Sequence, residues 1–477
     1  MRTTRGAGVF ILALLAGCTV GPNYHAPQTA MPAGWVPPTT APTTQQSVAT
    51  SEPVNLVEWW TVFNDPMLNN LVTRAVKSNL SLRQAEARIR QARASRQVVG
   101  SALWPSADAS GSYRRSGVGN TGPRDLFTAG LDASWEIDVF GGTRRSIEAA
   151  DADLQSTIED RNDVLISLIA EVALNYIDLR SFQHEIDIAR RNLADQRSSA
   201  DLTRQRRIAG FVSALDTANA DASVASTESQ IPSLEAAVRQ TIYSLSVLLG
   251  LEPATLLKEL NEPAPIPLPP AQVPVGLPSD LLRRRPDIRR AESNLHAATA
   301  SIGVATSDLF PRFSLTGSVG TSNNSLNGLL DRNRATWSIG PGVSWNIFDA
   351  GRIRGNIELR NAAAQEALIG YQNTILVALQ DVENSLISYE KEQEHRRSLA
   401  AAVDANRQAV IISTQLYRAG NTDFLNVLNA QRSLLGTEDA LAQSDRTIAT
   451  NLVSLYKALG GGWGSQDEQN QVAETSK

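Results

Sequence analysis

Cys18 is the one cysteine of this 477-residue chain and the residue with the most legible chemistry. It closes the tetrad Leu15-Ala16-Gly17-Cys18, behind the positive stretch Met1-Arg2-Thr3-Thr4-Arg5 and an apolar run from Gly6 to Ala16 too short to span a bilayer. That order predicts a signal peptide over residues 1–17 and resembles a bacterial lipobox. Cleavage would leave the Cys18 sulfur to take a diacylglyceryl group and the freed amine to take an acyl chain. Several acyl chains, at about 0.8 kcal/mol per buried methylene, anchor stably where one would be marginal. No intrachain disulfide can form. Thr19 follows the cysteine with no Asp in that place, which resembles lipoproteins bound for the outer membrane. The competing reading is an ordinary signal peptide with an incidental cysteine.

No other side chains assemble into a reactive constellation. His25, His184, His296 and His395 are scattered, none beside a second ligand at metal spacing, so no metal site is expected. A P-loop and a nucleophile elbow are both missing. Gly460-Gly461-Gly462 follows a helical segment and reads as its terminator. Arg283-Arg284-Arg285 and Arg289-Arg290 lie close to Asp287 and Glu292, as in a solvated or salt-bridged helix opened by Pro286. A net charge of -5 offers no basic face for nucleic acid. Neither an enzyme nor a nucleic-acid partner is expected, and no cofactor beyond the covalent lipid.

The elements that carry Cys18 come next. With 42% hydrophobic and 19% charged residues the chain can build a sizeable core. No internal stretch approaches the roughly 20 apolar residues of a membrane-spanning helix. Residues 18–53 are rich in Pro, Thr and Ser and read as an extended tether. Then the sequence runs twice. Leu103-Trp104-Pro105 returns as Leu309-Phe310-Pro311, Trp135-Glu136-Ile137 as Trp345-Asn346-Ile347, Arg207-Ile208-Ala209-Gly210 as Tyr417-Arg418-Ala419-Gly420, and Leu249-Gly250 as Leu459-Gly460. The first offset is 206 (103 to 309) and the others are 210 (135 to 345, 210 to 420, 250 to 460). Two tandem copies of one unit follow, over 54–250 and 279–460, joined by a Pro-rich connector 251–278 and ending in a tail 461–477.

Each copy reads helix, strand, strand, long helix, helix. Copy one is expected to place strands at about 106–115 and 127–139, a long helix at 143–208 and a helix at 212–249. Copy two places them at about 312–320, 335–348, 351–418 and 422–459. In the first long helix Ile158, Leu165, Val172, Leu179, Ile186 and Leu193 fall seven apart. Leu368, Ile375, Val382, Tyr389, Val403 and Val410 keep that frame in the second, with Arg396 breaking it once. A strict seven-residue repeat makes helices supercoil. About 65 residues at 1.5 Å each make a rod on the order of 100 Å. A dimerising coiled coil would explain the rod; it would not explain the strands.

Those segments have period two. Leu131, Ala133, Trp135, Ile137 and Val139 alternate with Asp132, Ser134, Glu136 and Asp138. Phe313, Leu315, Gly317 and Val319 alternate with Ser314, Thr316 and Ser318, and Trp337, Ile339, Pro341, Val343, Trp345 and Ile347 with Ser338, Gly340, Gly342, Ser344 and Asn346. Ala107 to Tyr113 is a weaker fourth case. One apolar and one polar face mark a strand between two media, and roughly 10 residues is the length of a tilted membrane-barrel strand. Loops at 117–123 and 321–333 join the pairs, and Trp104, Phe140, Trp337 and Phe348 could form aromatic girdles. A soluble two-sheet sandwich is the alternative, but no second layer is evident. Four strands cannot close a barrel, and open edges cannot sit in lipid. Oligomerisation is therefore expected, and bacterial barrels of about 8 strands or more leave two, three or four chains open.

Here the residues resemble a known family. Gly21-Pro22-Asn23-Tyr24 after the lipobox, Trp59-Trp60-Thr61-Val62-Phe63-Asn64-Asp65-Pro66, Leu281-Leu282-Arg283-Arg284-Arg285-Pro286-Asp287-Ile288 and Tyr417-Arg418-Ala419-Gly420 are similar to the TolC-like outer-membrane factors, in the lipoprotein branch (OprM-like or NodT-like) of RND-type efflux systems. The resemblance implies an α+β channel-tunnel. It would be a homotrimer with a twelve-stranded transmembrane barrel, four strands per chain, continued by a long α-helical barrel through the periplasm. It implies an outer-membrane lipid anchor, a periplasmic adaptor (membrane fusion protein) and an inner-membrane RND-type transporter. Leu131, Trp135, Ile137, Phe313, Leu315, Trp337, Ile339, Trp345 and Ile347 would face the membrane. The periplasmic gate would hold Leu425 as an apolar plug with Asn426 and Asn429, where many relatives carry Asp; Leu425 and Asn429, i to i+4, share a helical face. By the same analogy Asp216 and Tyr417 would form a latch, although Asp216 also suits a helix N-terminus. Export of small molecules, drugs and toxic compounds, is the function implied. A type I protein-secretion conduit and a non-conducting envelope coiled-coil lipoprotein are the rivals.

Overall fold

The computed structural model describes residues 19–36, 48–50, 56–119, 121–267, 269, 272–329 and 335–464, with backbone alone at 48–50, 121, 272 and 274. The expected signal peptide, the lipidation site Cys18 and residues 465–477 lie outside the described residues. In chain order the elements are β1 (Val48–Thr50), α1 (Pro66–Ser78), α2 (Leu80–Ser101), β2 (Ser106–Val118), β3 (Thr121–Ile137), α3 (Gly142–Ile208), α4 (Ala214–Leu248), α5 (Leu257–Leu260) and β4 (Gln272–Pro274). Then come α6 (Leu281–Arg284), α7 (Pro286–Ser307), β5 (Arg312–Asn323), β6 (Thr336–Ser344), α8 (Arg352–Ala419) and α9 (Phe424–Ala458). The chain divides into two units. One comprises Met1–Thr29, Glu86–Asp160 and Asp287–Thr374; the other comprises Ala30–Ala85, Arg161–Pro286 and Ile375–Lys477.

The first unit is organised by one antiparallel sheet of order β2-β3-β5-β6. Its duplication shows in side-chain chemistry. The Trp135 indole donates to the Leu103 carbonyl at 2.9 Å, and the Trp345 indole donates to the Leu309 carbonyl at 3.0 Å. Each copy thus ties the chain at, or just past, the end of its second strand to the turn before its first. Phe140 and Phe310 stack at 4.5 Å beside them.

Strand limits differ from the sequence expectation. β2 and β3 pair through Ser116↔Arg124 and Val118↔Thr121, so strand pairing extends into the loop expected over 117–123. That stretch reads as loop by composition, but cross-strand pairing carries the ladder as far as Val118 and Thr121, with one irregularity after Ser116. At the other end β6 stops at Ser344, which pairs with Arg312, the first residue of β5. Pro311 precedes it and has no N–H to offer, so Trp345 and Ile347, expected within the strand, lie beyond it.

The second unit packs the other halves of the long helices. Its core joins the ends of both copies: Trp59, 1% exposed, stacks on Tyr456 at 5.4 Å, and the Gly462 N–H donates to the Leu56 carbonyl. Asp65 caps α1 by accepting from the Met67 and Leu68 amides, and also takes the Tyr176 hydroxyl at 2.7 Å. The stretch expected as a free tether has partners here as well. Val48–Thr50 pairs in parallel with Gln272–Pro274, and the Trp35 indole donates to the Gly276 carbonyl. Of the arginine cluster, Arg285 pairs with Asp381 here, while in the first unit Arg289 pairs with Glu159 and Arg290 with Asp160.

α3 and α8 have 67 and 68 residues without a proline, rods on the order of 100 Å. The seven-residue frame is the buried one. Leu165, Val172, Leu179, Ile186 and Leu193 are buried in α3, and Ile375, Val382, Tyr389 and Val403 in α8. Arg396, which breaks the frame, pairs with Asp445 of α9. Both rods end at a glycine in the left-handed region, Gly210 and Gly420, each at φ +80, where a side chain would cost strain.

Candidate functional site: a two-faced sheet and a helical tip

Register sorts the sheet into two faces. Leu131 pairs with Ala109 and Val319, Val319 with Trp337, Gly317 with Ile339, and Phe313 with Ile137 and Val343. Cross-strand partners share a face, so odd-numbered residues gather the apolar side chains on one side. Even-numbered residues gather the polar ones, where Ser112 bonds Thr128 at 2.7 Å, Ser106 bonds Ser134 at 3.0 Å and Ser318 bonds Ser338 at 2.8 Å. Asp108 stands opposite Asp132 on that polar face. The chain's own helices do not cover the apolar face: Trp337 is 76% exposed, Leu131 57% and Ile339 68%. Trp135, Ile137, Phe313 and Leu315 of the same face are half-buried. An open apolar sheet of this extent is an interaction surface. No described helix is long and apolar enough to cross a membrane.

The tip of the second unit is built where α3 meets α4 and α8 meets α9. Tyr417, Phe424, Val427 and Leu428 bury themselves against Ala200 and Ala220. That fixes the rotation of α9, and Leu425, Asn426 and Asn429 come out exposed on its other side, Leu425 at 54%. Asn426 donates to Thr422 Oγ1 at 2.7 Å. Its copy-one counterpart Asp216 accepts instead from the Ser213 amide at 2.9 Å and the Ser213 hydroxyl at 2.8 Å, a closed capping box for α4.

Within the chain Asp216 and Tyr417 are not bonded to each other. Asp216 is held by Ser213, while the Tyr417 hydroxyl donates to Thr203 Oγ1 at 3.1 Å. A capping carboxylate must stay within its own first turn, which withdraws it from Tyr417. The residue that does engage Tyr417 is Arg206, absent from the sequence-based candidates. Its guanidinium lies over the Tyr417 ring, 4.6 Å from the centroid, and donates to the Tyr417 carbonyl. Behind it runs a buried polar line on α3, Asn192, Gln196, Ser199 and Thr203. Asn192 donates to Glu438, and Gln431 donates to Ser199. Spacings of four and three residues could have revealed this line, since it repeats every 3.5 residues as the apolar one does.

The family described as outer membrane efflux protein matches residues 71–251 and 277–461. The two matches begin 206 residues apart (71 to 277) and end 210 apart (251 to 461), the offsets of the internal repeat. Nodulation protein T of Rhizobium leguminosarum bv. trifolii is 32% identical over 468 residues, covering 97% of this chain and 98% of its own length. The toluene efflux pump outer membrane protein TtgF of Pseudomonas putida is 32% identical over 96% of this chain and 97% of its own. Among solved structures, the outer-membrane channel OprN superposes with a TM-score of 0.85 at 37% identity, over 94% of this chain and 100% of that one.

Proposed function

The chain belongs to the outer membrane efflux protein family, and we propose that three copies of it close their four-stranded sheets into one twelve-stranded barrel. It resides in the outer membrane, extends into the periplasm and serves as an exit duct for efflux. The observation that carries the trimer is the sheet itself. β2 and β6 are the sheet's edges, with no strand paired to their outer sides among the described residues, and the apolar face between them is uncovered. Lipid tolerates such a face but not such edges, so sister chains must supply the missing pairing.

In this reading the odd-numbered face meets lipid and the serine-rich face lines a wet lumen. Cys18 carries the acyl anchor. Leu425, Asn426 and Asn429 line a gate at the helical tip, and Arg206 with Tyr417 holds one arm of it closed. A periplasmic adaptor and an inner-membrane RND-type transporter complete the pump, and small organic compounds, as the name of the toluene-pump relative suggests, are its cargo. The duct is passive, without catalysis and without a cofactor beyond the lipid.

Detergent-solubilised protein should show three-fold particles and conduct in planar bilayers. A stable monomer in plain buffer, or a membrane-bound protein that never conducts, would leave the envelope coiled coil as the better account.

A further inference from the structure

The segment after Cys18 is built into the joint between β3 and α3. The Val20 N–H donates to the Phe140 carbonyl at 3.1 Å, in the link that joins the two elements. Arg145, in the first turn of α3, is 4% exposed and spends most of its guanidinium on this segment. Nε donates to the Val20 carbonyl at 3.2 Å, and Nη2 donates to the Gly21 carbonyl at 3.5 Å and to Asn23 Oδ1 at 2.6 Å. Nη1 is left for the Glu148 carboxylate at 2.7 Å. Gly21, at φ +86, passes so close to α7 that a Cβ would stand 2.5 Å from the Gly303 Cα. Next to it the Tyr24 ring stacks on His296 at 4.3 Å, its hydroxyl donating to Glu292 at 3.1 Å.

A guanidinium presents five donors in a rigid fork and keeps its charge. Three of the acceptors around this one belong to residues 20–23. Were they withdrawn, a buried cation would keep only Glu148, and burying a poorly compensated charge is costly. The dependence therefore runs both ways. The segment needs Arg145 to hold it, and Arg145 needs the segment to be satisfied.

We infer that Arg145 is a positioning residue for the N-terminal end of the chain, seating residues 19–24 on the strand–helix joint by protein contacts that do not require the acyl chains. The lipid-bearing residue then hangs from a folded element and not from a loose tether, and the joint is complete only with the segment in place. This goes beyond the duct reading and does not depend on conduction.

Chymotrypsin tests it on the detergent-solubilised full chain. Tyr24 and Trp35 are neighbouring cleavage sites, and Trp35 is anchored separately on Gly276, so it serves as the internal control. In the parent chain Tyr24 should resist cleavage, with the acyl anchor or without it. The second form is made by Cys18→Ser behind a non-lipoprotein leader. Arg145→Ala should speed cleavage at Tyr24 at least tenfold while Trp35 is unchanged, and Arg145→Lys should restore part of the resistance. Gly21→Ala, with the arginine intact, should release the segment equally and covers the case where Arg145→Ala fails to fold. Unchanged Tyr24 cleavage in both variants, or resistance that disappears with the lipid alone, would overturn the inference.

Discussion

Arg206 meets Tyr417 twice, its guanidinium resting over the ring and donating to the backbone carbonyl of the same residue. The contact joins the last turn of α3 to the last turn of α8, the two rods whose ends build the tip. A cation over an aromatic face contributes about 0.5–2 kcal/mol, and a charged hydrogen bond about 1.5–3 kcal/mol. Arg206 is half-exposed, which puts the sum at the low end, about 2 kcal/mol, or more than tenfold in an opening equilibrium. Arg206→Ala should raise the conductance of the closed channel in planar bilayers. Arg206→Lys should recover less than half of the effect, because an ammonium cannot lie flat on the ring while reaching the carbonyl.

Asp216→Ala separates the capping box from a latch. The box predicts a loss of about 1 kcal/mol in the stability of the α4 start, as for other N-terminal caps. Closed-state conductance should stay near the parent value. A rise as large as that of Arg206→Ala would restore Asp216 to the gate and displace the assignment made from its bonds to Ser213.

The polar ring at the tip is uncharged. Asn426 and Asn429 are exposed on α9, and amides cannot hold a divalent cation as carboxylates do. Micromolar divalent cations should therefore leave single-channel conductance almost untouched. Asn429→Asp should introduce block, and a strong block of the parent protein at micromolar concentrations would contradict the assignment of these two residues to the lumen.

These contrasts show what sequence could and could not supply. Period two in the strands follows from lipid on one side and water on the other, so Leu131, Ile339 and their polar neighbours were legible one strand at a time. Strand ends were not, because Ser344 stops where Arg312 offers the last partner, a fact of pairing and not of composition. The apolar heptads of α3 and α8 were visible because burial selects them. The polar line from Asn192 to Thr203 sits equally deep but looks like a solvated face until Glu438, Gln431 and Tyr417 come to meet it. Arg206 stood in a basic helix end that the macrodipole alone would explain. Asp216 suits a helix N-terminus by its charge alone, but its closed box with Ser213 is a matter of geometry that spacing does not reveal.

Only strong acid should loosen the N-terminal seat. The Glu148 carboxyl feels burial, which pushes its pKa up, but His296 and Arg145 outweigh it and hold the group below the ordinary glutamate range. A depressed carboxylate contributes stability that is present above its unfolded pKa, about 4.3, and lost as pH falls through the lower folded value. Tyr24 protection from protease should thus persist through neutral and mildly acidic pH and fall only in strong acid. Glu148→Gln should abolish that acid step. Loss of protection in the parent already near pH 6, with Glu148→Gln behaving identically, would remove the carboxylate from the seat.

The two faces of the sheet should tolerate charge very differently. Leu131 and Ile339 lie on the uncovered apolar face, where Arg or Lys near the bilayer midplane costs about 2–4 kcal/mol. Three copies of Ile339→Lys in one barrel multiply that cost, enough to exhaust the marginal stability of a folded protein. Ser318 is one residue from Val319 in the same strand but points the other way, bonded to Ser338. Ser318→Lys should assemble in outer-membrane fractions at parental levels and shift ion selectivity toward anions, because its ammonium enters the water-filled side. Ile339→Lys should leave mostly unassembled chain. Equal assembly of the two variants would mean that both faces meet the same medium, and a sheet between two identical media has no use for the alternation that runs through all four strands.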